Sequence, residues 1–322
     1  MGAKSIAVLT SGGDAPGMNA AVRAVVRTGI NFGMKVYGVM RGYNGLLGGD
    51  LKEMNMRSVS DIMQHGGTAL FTARSPEFNT PAGVKKAADV CRKMGIDGVV
   101  VIGGDGSFRG ARDLTGEGIL TIGVPGTIDN DIACTDYTIG YDTALNTAME
   151  MIDRIRDTTE SHDRCSVVEV MGRRCGDIAL NVGVAAGAIA TLVPEIPFDF
   201  EKDVIGRIRM AQTTGKRHYI IVVAEGVGHT QEITERIQKE TGIESRATIL
   251  GHVQRGGCPT LRDRVVASRM GYHAVELLQN GIGNRVVAMK GEEIVDFDIT
   301  EALDMPRTFD EKLYHASAVL SI

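Results

Sequence analysis

Short runs of apolar, mostly β-branched residues alternate along this chain with longer stretches whose apolar residues recur every three or four positions. Residues 5–10 form the first run, and in the stretch 19–31 the side chains of Ala21, Val22, Val25 and Val26 share one helical face. Strands that alternate with helices favour parallel sheets with right-handed crossovers, so the sequence predicts an α/β fold. The same patterns predict further strands at 35–40, 98–102, 119–124, 166–170, 219–224 and 285–288, and further helices at 80–94, 143–156, 204–212, 230–241, 262–278 and 311–320.

The length and composition restrict the kinds of protein that this chain can be. A chain of 322 residues suits two packed lobes, and its 41 glycines suit many tight strand-to-helix turns. The formal net charge of -5 argues against nucleic acid as the main partner, because binding the phosphate backbone usually requires a basic surface. No apolar run approaches the roughly 18 residues that span a bilayer, and residues 1–10 lack the apolar stretch of a signal peptide. We therefore expect a soluble protein.

The cysteines give no sign of a disulfide framework or a zinc site. They are odd in number and irregularly spaced, and no C-x-x-C pair occurs. Reduced thiols in a cytoplasmic protein are the expectation. The residues concerned are Cys91, Cys134, Cys165, Cys175 and Cys258.

Glycine-rich segments follow three of the predicted strands, at the sheet edge where the ligand crevice of an open parallel sheet lies. The first, residues 11–19, reads Ser-Gly-Gly-Asp-Ala-Pro-Gly-Met-Asn and runs directly into a helix. Adjacent glycines let backbone amides approach an anion, and the amino end of a helix adds a positive dipole. This segment predicts phosphate binding, with a plain tight turn as the alternative.

The second segment, residues 103–107, reads Gly-Gly-Asp-Gly-Ser and places the carboxylate of Asp105 among glycines. Glycines can wrap phosphate groups, and Asp105 can hold magnesium directly or through water. Asp105 could instead cap the next helix. The segment indicates nucleotide chemistry without specifying a substrate.

The third segment, residues 125–131, reads Pro-Gly-Thr-Ile-Asp-Asn-Asp and concentrates a hydroxyl and two carboxylates. A carboxylate near an alcohol and Mg-ATP can accept the alcohol's proton during phosphoryl transfer. A structural Asx turn would explain one aspartate but not the whole cluster. Because the chain has no G-x-x-x-x-G-K-[ST] sequence, a Walker P-loop is excluded.

Taken together, the three segments resemble those of bacterial ATP-dependent 6-phosphofructokinases. The resemblance continues through residues 171–173 (Met-Gly-Arg), 224–226 (Ala-Glu-Gly) and 250–257 (Leu-Gly-His-Val-Gln-Arg-Gly-Gly), and it covers the chain from residue 6 to about 269. It implies a phosphofructokinase fold of two lobes, each a largely parallel sheet flanked by helices. Residues 1–140 with about 254–305 would form the ATP-binding lobe, and about 141–253 with 306–322 the fructose 6-phosphate-binding lobe.

The resemblance also implies roles for individual residues. Asp129 would be the general base on the sugar 1-hydroxyl, with Thr127 and Asp131 beside it, while Gly12 and Arg173 would stabilise the transferring phosphate. ATP would be bound by Gly12, Arg74, Gly104, Asp105, Gly106 and Ser107. Mg2+ would be associated with the Asp105 carboxylate.

The implied sugar-phosphate pocket is rich in arginine, whose planar guanidinium groups bind phosphate oxygens in pairs. Arg164 and Arg246 match arginines that reach the sugar phosphate from a neighbouring subunit, which implies a homotetramer with shared active sites. The full implied set is Thr127, Asp129, Arg164, Met171, Gly172, Arg173, Glu225, Arg246, His252 and Arg255.

Glycine at positions 106 and 126 bears on the identity of the phosphoryl donor. Pyrophosphate-dependent relatives generally have aspartate and lysine there, and those side chains would crowd the α-phosphate of a nucleotide. Gly106 and Gly126 therefore favour ATP over pyrophosphate. A non-catalytic sensor of sugar phosphate or nucleotide is the other alternative, but binding alone would not require both Asp105 and Asp129.

A regulatory site is only partly present. Bacterial members of the family are often activated by ADP and inhibited by phosphoenolpyruvate at a subunit interface. Met56, Ile189 and Thr214 stand where the family commonly has arginine, glutamate and a basic residue. Losing two cations and a carboxylate predicts weak or absent control by both effectors. The features that remain are Arg23 and Arg27, which could also be a plain basic helix face, together with Asp61, Arg156 and Lys216.

Overall fold

The structure is a computed structural model that describes residues 2–321. Contacts between Cα atoms divide these residues into two units, each with a sheet and a hydrophobic core of its own. The first unit contains 2–128, 132–143 and 255–307, and the second contains 129–131, 144–254 and 308–321. The assignment of ATP to one lobe and fructose 6-phosphate to the other stays a prediction.

Both sheets are largely parallel. The strands of residues 2–321 are β1 (Ser5–Thr10), β2 (Lys35–Val39), β3 (Leu51–Glu53), β4 (Gly98–Gly103), β5 (Leu120–Pro125), β6 (Cys165–Val170), β7 (Ala190–Leu192), β8 (Tyr219–Ala224), β9 (Ser245–Ile249), β10 (Arg285–Lys290) and β11 (Glu293–Asp298). The order is β11-β10-β5-β4-β1-β2-β3 in the first unit and β7-β8-β6-β9 in the second. Neighbours pair in parallel, except that the edge strands β3 and β11 run antiparallel to β2 and β10. The predicted α/β fold is confirmed.

The helices that the sequence predicted mostly agree with the structure to within two residues, whereas the helices at 42–48, 105–116, 177–185 and 299–304 were not predicted. Along residues 2–321 they are α1 (Met18–Asn31), α2 (Gly42–Gly48), α3 (Pro81–Met94), α4 (Asp105–Gly116), α5 (Tyr141–Ser161), α6 (Asp177–Ala185), α7 (Gly206–Thr213), α8 (Thr230–Thr241), α9 (Leu261–Gln279), α10 (Ile299–Asp304) and α11 (Glu311–Leu320). Helix α5 is longer than the predicted 143–156 at both ends, and its last turn is joined to β6 by a hydrogen bond between the hydroxyls of Thr159 and Ser166 at 2.6 Å. The predicted helix 204–212 begins instead as a π-helical stretch, Glu201–Ile205, before α7.

Burial explains why the central strands form as they do. Every residue of β4 is buried, and Val99, Val100, Val101 and Ile102 are fully inaccessible, as expected of a parallel strand covered by helices on both faces. On one side of this sheet the ring of Tyr43 stacks on Phe78 at 3.8 Å, and its hydroxyl donates to the Ser107 carbonyl at 2.7 Å. That bond holds the first turn of α4 at the carboxyl end of β4.

The cysteines are free thiols, and Cys258 is exposed while the others are buried. Burial raises the pKa of the Cys91 thiol to about 12, and that of Cys165 likewise. None of the helices within residues 2–321 is both long and apolar enough to cross a membrane.

Candidate active site

The loop after β1 is tied to the neighbouring strand and to the segment that carries Arg74. The amide of Ser11 donates to the Ile102 carbonyl of β4 at 2.9 Å, and Gly12 turns the chain with a φ of 89°. The Thr72 hydroxyl donates to the Gly12 carbonyl at 2.7 Å. Arg74 follows two residues later and is exposed. Gly12 and the segment bearing Arg74 therefore lie at the same edge of the sheet.

The loop after β4 presents the amino end of α4 at that edge. Gly104 is the N-cap and Asp105 the first helical residue, and Asp105 and Gly106 are exposed while Ser107 is buried. A Cβ atom at position 103 would lie 2.5 Å from both Ser107 Oγ and the Ser11 carbonyl oxygen, so only glycine allows this approach of the two loops. A helix amino end beside glycines is a suitable place for an anion.

The loop after β5 is closed at its base. Gly126 donates its amide to the Gly103 carbonyl at 2.9 Å, and Ile139 donates to the Pro125 carbonyl at 2.9 Å. The Thr138 hydroxyl donates to the Thr127 carbonyl at 2.6 Å. Residues 126–139, which we call the Asp129 loop, thus leave and re-enter the first unit beside the two glycine loops. The first unit brings Gly12, Ser107 and Thr127 to one edge, as the three strand-end segments predicted.

Within the second unit, Arg173 lies beside two carboxylates. Its Nε is 3.7 Å from Asp129 Oδ2, and its Nη1 is 3.7 Å from Asp131 Oδ2. The Asp129 side chain is 2% exposed, whereas that of Arg173 is 67% exposed. A buried carboxylate next to an exposed cation is an arrangement that can accept a proton and also contact an anionic substrate.

The backbone that carries Arg173 is held in an uncommon conformation. Arg173 has a φ of 55° and Gly172 a φ of 144°. The Arg173 amide donates to the Glu225 carboxylate, and the Met171 amide donates to Gln254 Oε1 at 2.8 Å. A Cβ atom at Gly226 would lie 2.6 Å from the Arg173 carbonyl oxygen. Positive φ at a non-glycine residue, kept by surrounding contacts, is typical of functional sites.

The second unit also brings together the arginines that were predicted to reach a sugar phosphate. Arg164 Nε lies 2.9 Å from Glu244 Oε2, and Arg246 Nη2 lies 2.9 Å from Glu244 Oε1. Hydrogen bonds from Arg164 and Arg246 lower the pKa of the Glu244 carboxyl. His252 is exposed. Arg255 belongs to the first unit, where its Nη1 donates to the Asp14 carbonyl at 3.1 Å, beside the β1 loop.

A model of the family described as phosphofructokinase matches residues 5–278 of this chain. The chain belongs to the phosphofructokinase family. It is 58% identical over 318 residues to a Clostridium tetani protein and 57% identical over 318 residues to a Clostridium botulinum protein, both named ATP-dependent 6-phosphofructokinase, with 99% of each chain covered. It is also similar to the structure of phosphofructokinase from Saccharomyces cerevisiae, with a TM-score of 0.88 and 37% identity. That match covers 98% of this chain but only 48% of the yeast chain.

The residues predicted for a phosphofructokinase effector site lie in both units. Arg23 and Arg27 are half-buried on α1, and burial, followed by the neighbouring charge of Arg27, lowers the pKa of Arg23. In the second unit, burial and the neighbouring Arg156 lower the pKa of Lys216. Asp61 is exposed with a φ of 55°. Among the substituted positions, Ile189 is fully buried in the core of the second unit, whereas Met56 and Thr214 are exposed.

Sequence reasoning missed several residues that hold the site in place. Gln254 lies inside the predicted motif 250–257, yet its contact with Met171 was not foreseen. Glu195 accepts a hydrogen bond from the Gly176 amide at 2.9 Å, at the end of the turn that carries Arg173. Asp263 contacts the segment that closes the Asp129 loop. The one available signal was the capping-box spacing of Thr260 and Asp263.

Proposed function

We propose that this chain is an ATP-dependent 6-phosphofructokinase, which transfers the γ-phosphoryl group of ATP to the 1-hydroxyl of fructose 6-phosphate. The observation that carries the proposal is the pair of Asp129 and Arg173, a buried carboxylate with a guanidinium 3.7 Å away. The names of the clostridial relatives, at 57–58% identity over 99% of this chain, support the same activity.

In the proposed mechanism, a bond forms between the sugar O1 and the γ-phosphorus while the bond from that phosphorus to the β,γ-bridging oxygen breaks. Asp129 accepts the proton that O1 loses, and ADP leaves with the bridging oxygen. Arg173 and the amide of Gly12 would stabilise the negative charge on the transferring group. Thr127 and Asp131 would complete the surroundings of the sugar hydroxyl.

The nucleotide would lie against the glycine loops, in contact with Gly12, Gly104, Gly106 and Ser107, with Arg74 on its phosphates. The exposed Asp105, at the amino end of α4, fits a role with Mg2+, which typically takes one or two carboxylates and completes its shell with phosphates and water. Residues 2–321 contain no group of three or more His, Cys, Asp or Glu side chains placed to hold a metal. Bound Mg2+ would neutralise phosphate charge.

Of the two glycines that bear on the donor, Gly106 supports ATP. A Cβ atom at Gly106 would meet nothing within 4 Å among the described residues, so the space in front of α4 is open to a nucleotide. At Gly126 a Cβ atom would lie 3.0 Å from Ile102 Cγ2 and 3.1 Å from Met18 Cε, so packing within the first unit favours glycine there whatever the donor. A pyrophosphate-dependent enzyme on the same fold remains the alternative that the experiment below tests.

We further propose that the sugar phosphate is bound by Met171, Gly172, Glu225, His252 and Arg255, with Arg164 and Arg246 supplied by a neighbouring subunit of a homotetramer. The pairing of Arg164 and Arg246 with one carboxylate in the second unit keeps two guanidinium groups together, which suits capture of a phosphate dianion. A cytoplasmic location, where ATP is available and thiols stay reduced, completes the proposal.

The proposal is tested by measuring fructose 1,6-bisphosphate formation with ATP and pyrophosphate offered separately at saturating Mg2+. Activity with ATP alone is the expected result. Activity with pyrophosphate alone would contradict the choice of donor, and activity with neither, from a protein shown to be folded, would favour a non-catalytic sensor. Asp129→Asn is the matched control, because it should strongly reduce any activity that depends on this site.

A further inference from the structure

Asp263, in the first turn of α9, is a fully buried carboxylate that belongs to none of the predicted contacts with substrate. In the described part of the chain, four donors converge on it. Its Oδ1 accepts from the Tyr137 hydroxyl at 2.6 Å and the Gly140 amide at 2.7 Å, and its Oδ2 accepts from the Thr143 hydroxyl at 2.5 Å and the Thr143 amide at 2.9 Å. These donors all come from residues 137–143, which we call the closing segment.

The closing segment overlaps the last three residues of the Asp129 loop, 137–139, and fixes where that loop ends. Ile139 pairs with the start of the loop through the Pro125 carbonyl, and Gly126 and Ile139 form a β-bridge. Thr138 donates to the Thr127 carbonyl, two residues before Asp129. The position of Thr127, and the point from which the chain runs on to Asp129, therefore depend on how the closing segment is held.

The closing segment also packs against the glycine loop after β1. A Cβ atom at Gly140 would lie 2.7 Å from Ala15 Cβ, and one at Gly17 would lie 2.8 Å from Ile139 Cγ2 and 3.3 Å from Asp263 Cβ. Thr143 completes the connection to α9, because its Oγ1 accepts from the Thr260 amide at 3.1 Å. Thr260 is the N-cap of α9 and accepts in turn from the Asp263 amide.

The geometry requires a side chain at position 263 that only accepts hydrogen bonds. Oδ1 faces the backbone N–H of Gly140, and Oδ2 faces the backbone N–H of Thr143. A backbone N–H can only donate a hydrogen bond and cannot accept one. An asparagine would turn its NH2 group towards one of them in either orientation and leave a buried donor without an acceptor. Burial and the Asp263 carboxylate raise the pKa of Tyr137, which keeps that hydroxyl protonated and donating.

We propose that Asp263 is a positioning residue for phosphoryl transfer, which acts by holding the closing segment and, through it, Thr127 and the point from which the chain runs on to Asp129. The proposal rests on the proposed function for its catalytic consequence. Asp263 contacts no predicted substrate residue within the first unit and acts through residues 137–143. Its loss should therefore reduce turnover rather than affinity.

The test compares Asp263→Asn with Asp298→Asn, a matched substitution in the same unit. Asp298 is the N-cap of α10, and its Oδ1 accepts from the Thr300 and Glu301 amides. Its Oδ2 accepts from the side-chain amide of Asn284, which can rotate to accommodate an asparagine. We expect Asp263→Asn to lower kcat about 10- to 100-fold, with KM for both substrates changed less than about threefold, and Asp298→Asn to leave kcat within about twofold.

Two further variants keep the proposal testable if Asp263→Asn does not fold. Thr143→Ser retains the hydroxyl and should keep nearly full activity, whereas Thr143→Val removes it and should lower kcat with KM unchanged. Equal loss in both Thr143 variants, or a loss confined to KM, would overturn the proposal. So would an Asp263→Asn enzyme with the kcat of the wild type.

Hydrogen exchange separates this inference from the proposed function. Amides of the closing segment should exchange faster in Asp263→Asn, or in Thr143→Val, than in Asp298→Asn, whether or not the protein is a kinase. Unchanged exchange would refute the positioning role. If the wild type formed no product with either donor while exchange rose as expected, the proposed function would fail and the structural role of Asp263 would stand.

Discussion

The Nε atom of Arg173 lies 3.7 Å from Oδ2 of Asp129, and Nη1 of the same guanidinium lies 3.7 Å from Oδ2 of Asp131. The exposed guanidinium of Arg173 therefore forms ion pairs with two carboxylates that are two residues apart in the sequence. At this distance the contacts are ion pairs rather than close hydrogen bonds, so the guanidinium can turn towards a phosphate without breaking a strong bond. The Glu225 carboxylate meanwhile holds the Arg173 backbone in place.

Replacing Asp129 with asparagine should remove the proposed general base. We expect kcat to fall about 10²- to 10⁴-fold, because proton acceptance by a positioned carboxylate typically contributes that much. The affinity for fructose 6-phosphate, measured by calorimetry, should change little, since the amide keeps the size of the side chain. Asp131→Asn is the control and should lose less activity. An Asp129→Asn enzyme with more than about a tenth of wild-type turnover would remove Asp129 from the base role.

Replacing Arg246 with alanine should mainly weaken binding of the sugar phosphate. A guanidinium paired with phosphate oxygens contributes a charge-assisted hydrogen bond, so KM for fructose 6-phosphate should rise about tenfold or more. KM for ATP should stay within about twofold of the wild-type value. The decisive comparison is therefore between the change in KM for fructose 6-phosphate and the change in KM for ATP. Arg236→Ala, which removes an arginine paired with Glu240 on α8, is the matched control. Equal increases in both Michaelis constants would contradict the assignment of Arg246 to the sugar phosphate.

Glu244 should contribute to stability in a pH-dependent way. Arg164 and Arg246 hold its folded-state pKa below the usual value for glutamate, so its ion pairs stabilise the fold above the unfolded pKa of about 4.3. This contribution is lost as the pH falls through the folded-state pKa. The difference in urea midpoint between wild type and Glu244→Gln should therefore be largest at pH 6–7 and vanish at low pH. A difference that grows on acidification would contradict the ion pairs.

Glu244 also competes with any phosphate for the same two guanidinium groups. The Glu244→Gln variant should accordingly bind fructose 6-phosphate at least as tightly as the wild type at pH 7, provided both arginines stay in place. A kinetic measurement of KM for the sugar on the same protein samples would show this.

Placing aspartate at position 106 should impair the use of ATP. A carboxylate in front of the amino end of α4 would compete for the space and the positive potential that we assign to nucleotide phosphates. We expect kcat/KM for ATP to fall about tenfold or more, with the KM for fructose 6-phosphate little changed. Gly116→Asp is the control, since position 116 ends the same helix and, within residues 2–321, its Cβ would also meet open space. Equal losses of kcat/KM for ATP in the two variants would refute the assignment of the space in front of α4 to nucleotide phosphates.

Phosphoenolpyruvate and ADP should have little effect on the rate. Ile189, where the family commonly has glutamate, lies fully buried in the second-unit core, so no carboxylate is offered there. Met56 and Thr214 carry no charge, which removes contacts typically worth about 1.5–3 kcal/mol each. Initial rates at varied fructose 6-phosphate, with and without each effector, check this. A strong increase in half-saturation at sub-millimolar phosphoenolpyruvate would contradict it.

The long, strongly patterned elements could be predicted from the sequence, and the short ones could not. The unbroken valine and isoleucine run of β4 identifies a buried parallel strand, and α8 begins and ends where its pattern predicts. Helix α2 has three glycines in seven residues, and glycine has a low helix propensity, so the residue types do not predict a helix there. The three-residue strands β3 and β7 are too short to show a period, and tertiary pairing alone defines them.

The site itself was only partly predictable. Glycines and carboxylates after β1, β4 and β5 indicate phosphate chemistry, because the carboxyl ends of parallel strands share one edge. The ion pair between Asp129 and Arg173 joins residues 44 positions apart, and the periodicity of apolar residues along a helix or strand cannot predict a contact over that separation. The assignment of Arg173 came from family resemblance rather than from pattern. Contacts such as that of Gln254 with Met171 depend on side-chain packing that a sequence does not express.

The saturation of Asp263 has a practical consequence for anyone who would redesign this protein. Two of its hydrogen bonds come from main-chain amides, so no exchange of neighbouring side chains can compensate for altering the carboxylate. Libraries aimed at new donors or acceptors are therefore better concentrated on positions such as 106, where a side chain enters open space among the described residues. Asp263, Thr143 and the glycines packed around them form the part of the scaffold to leave untouched.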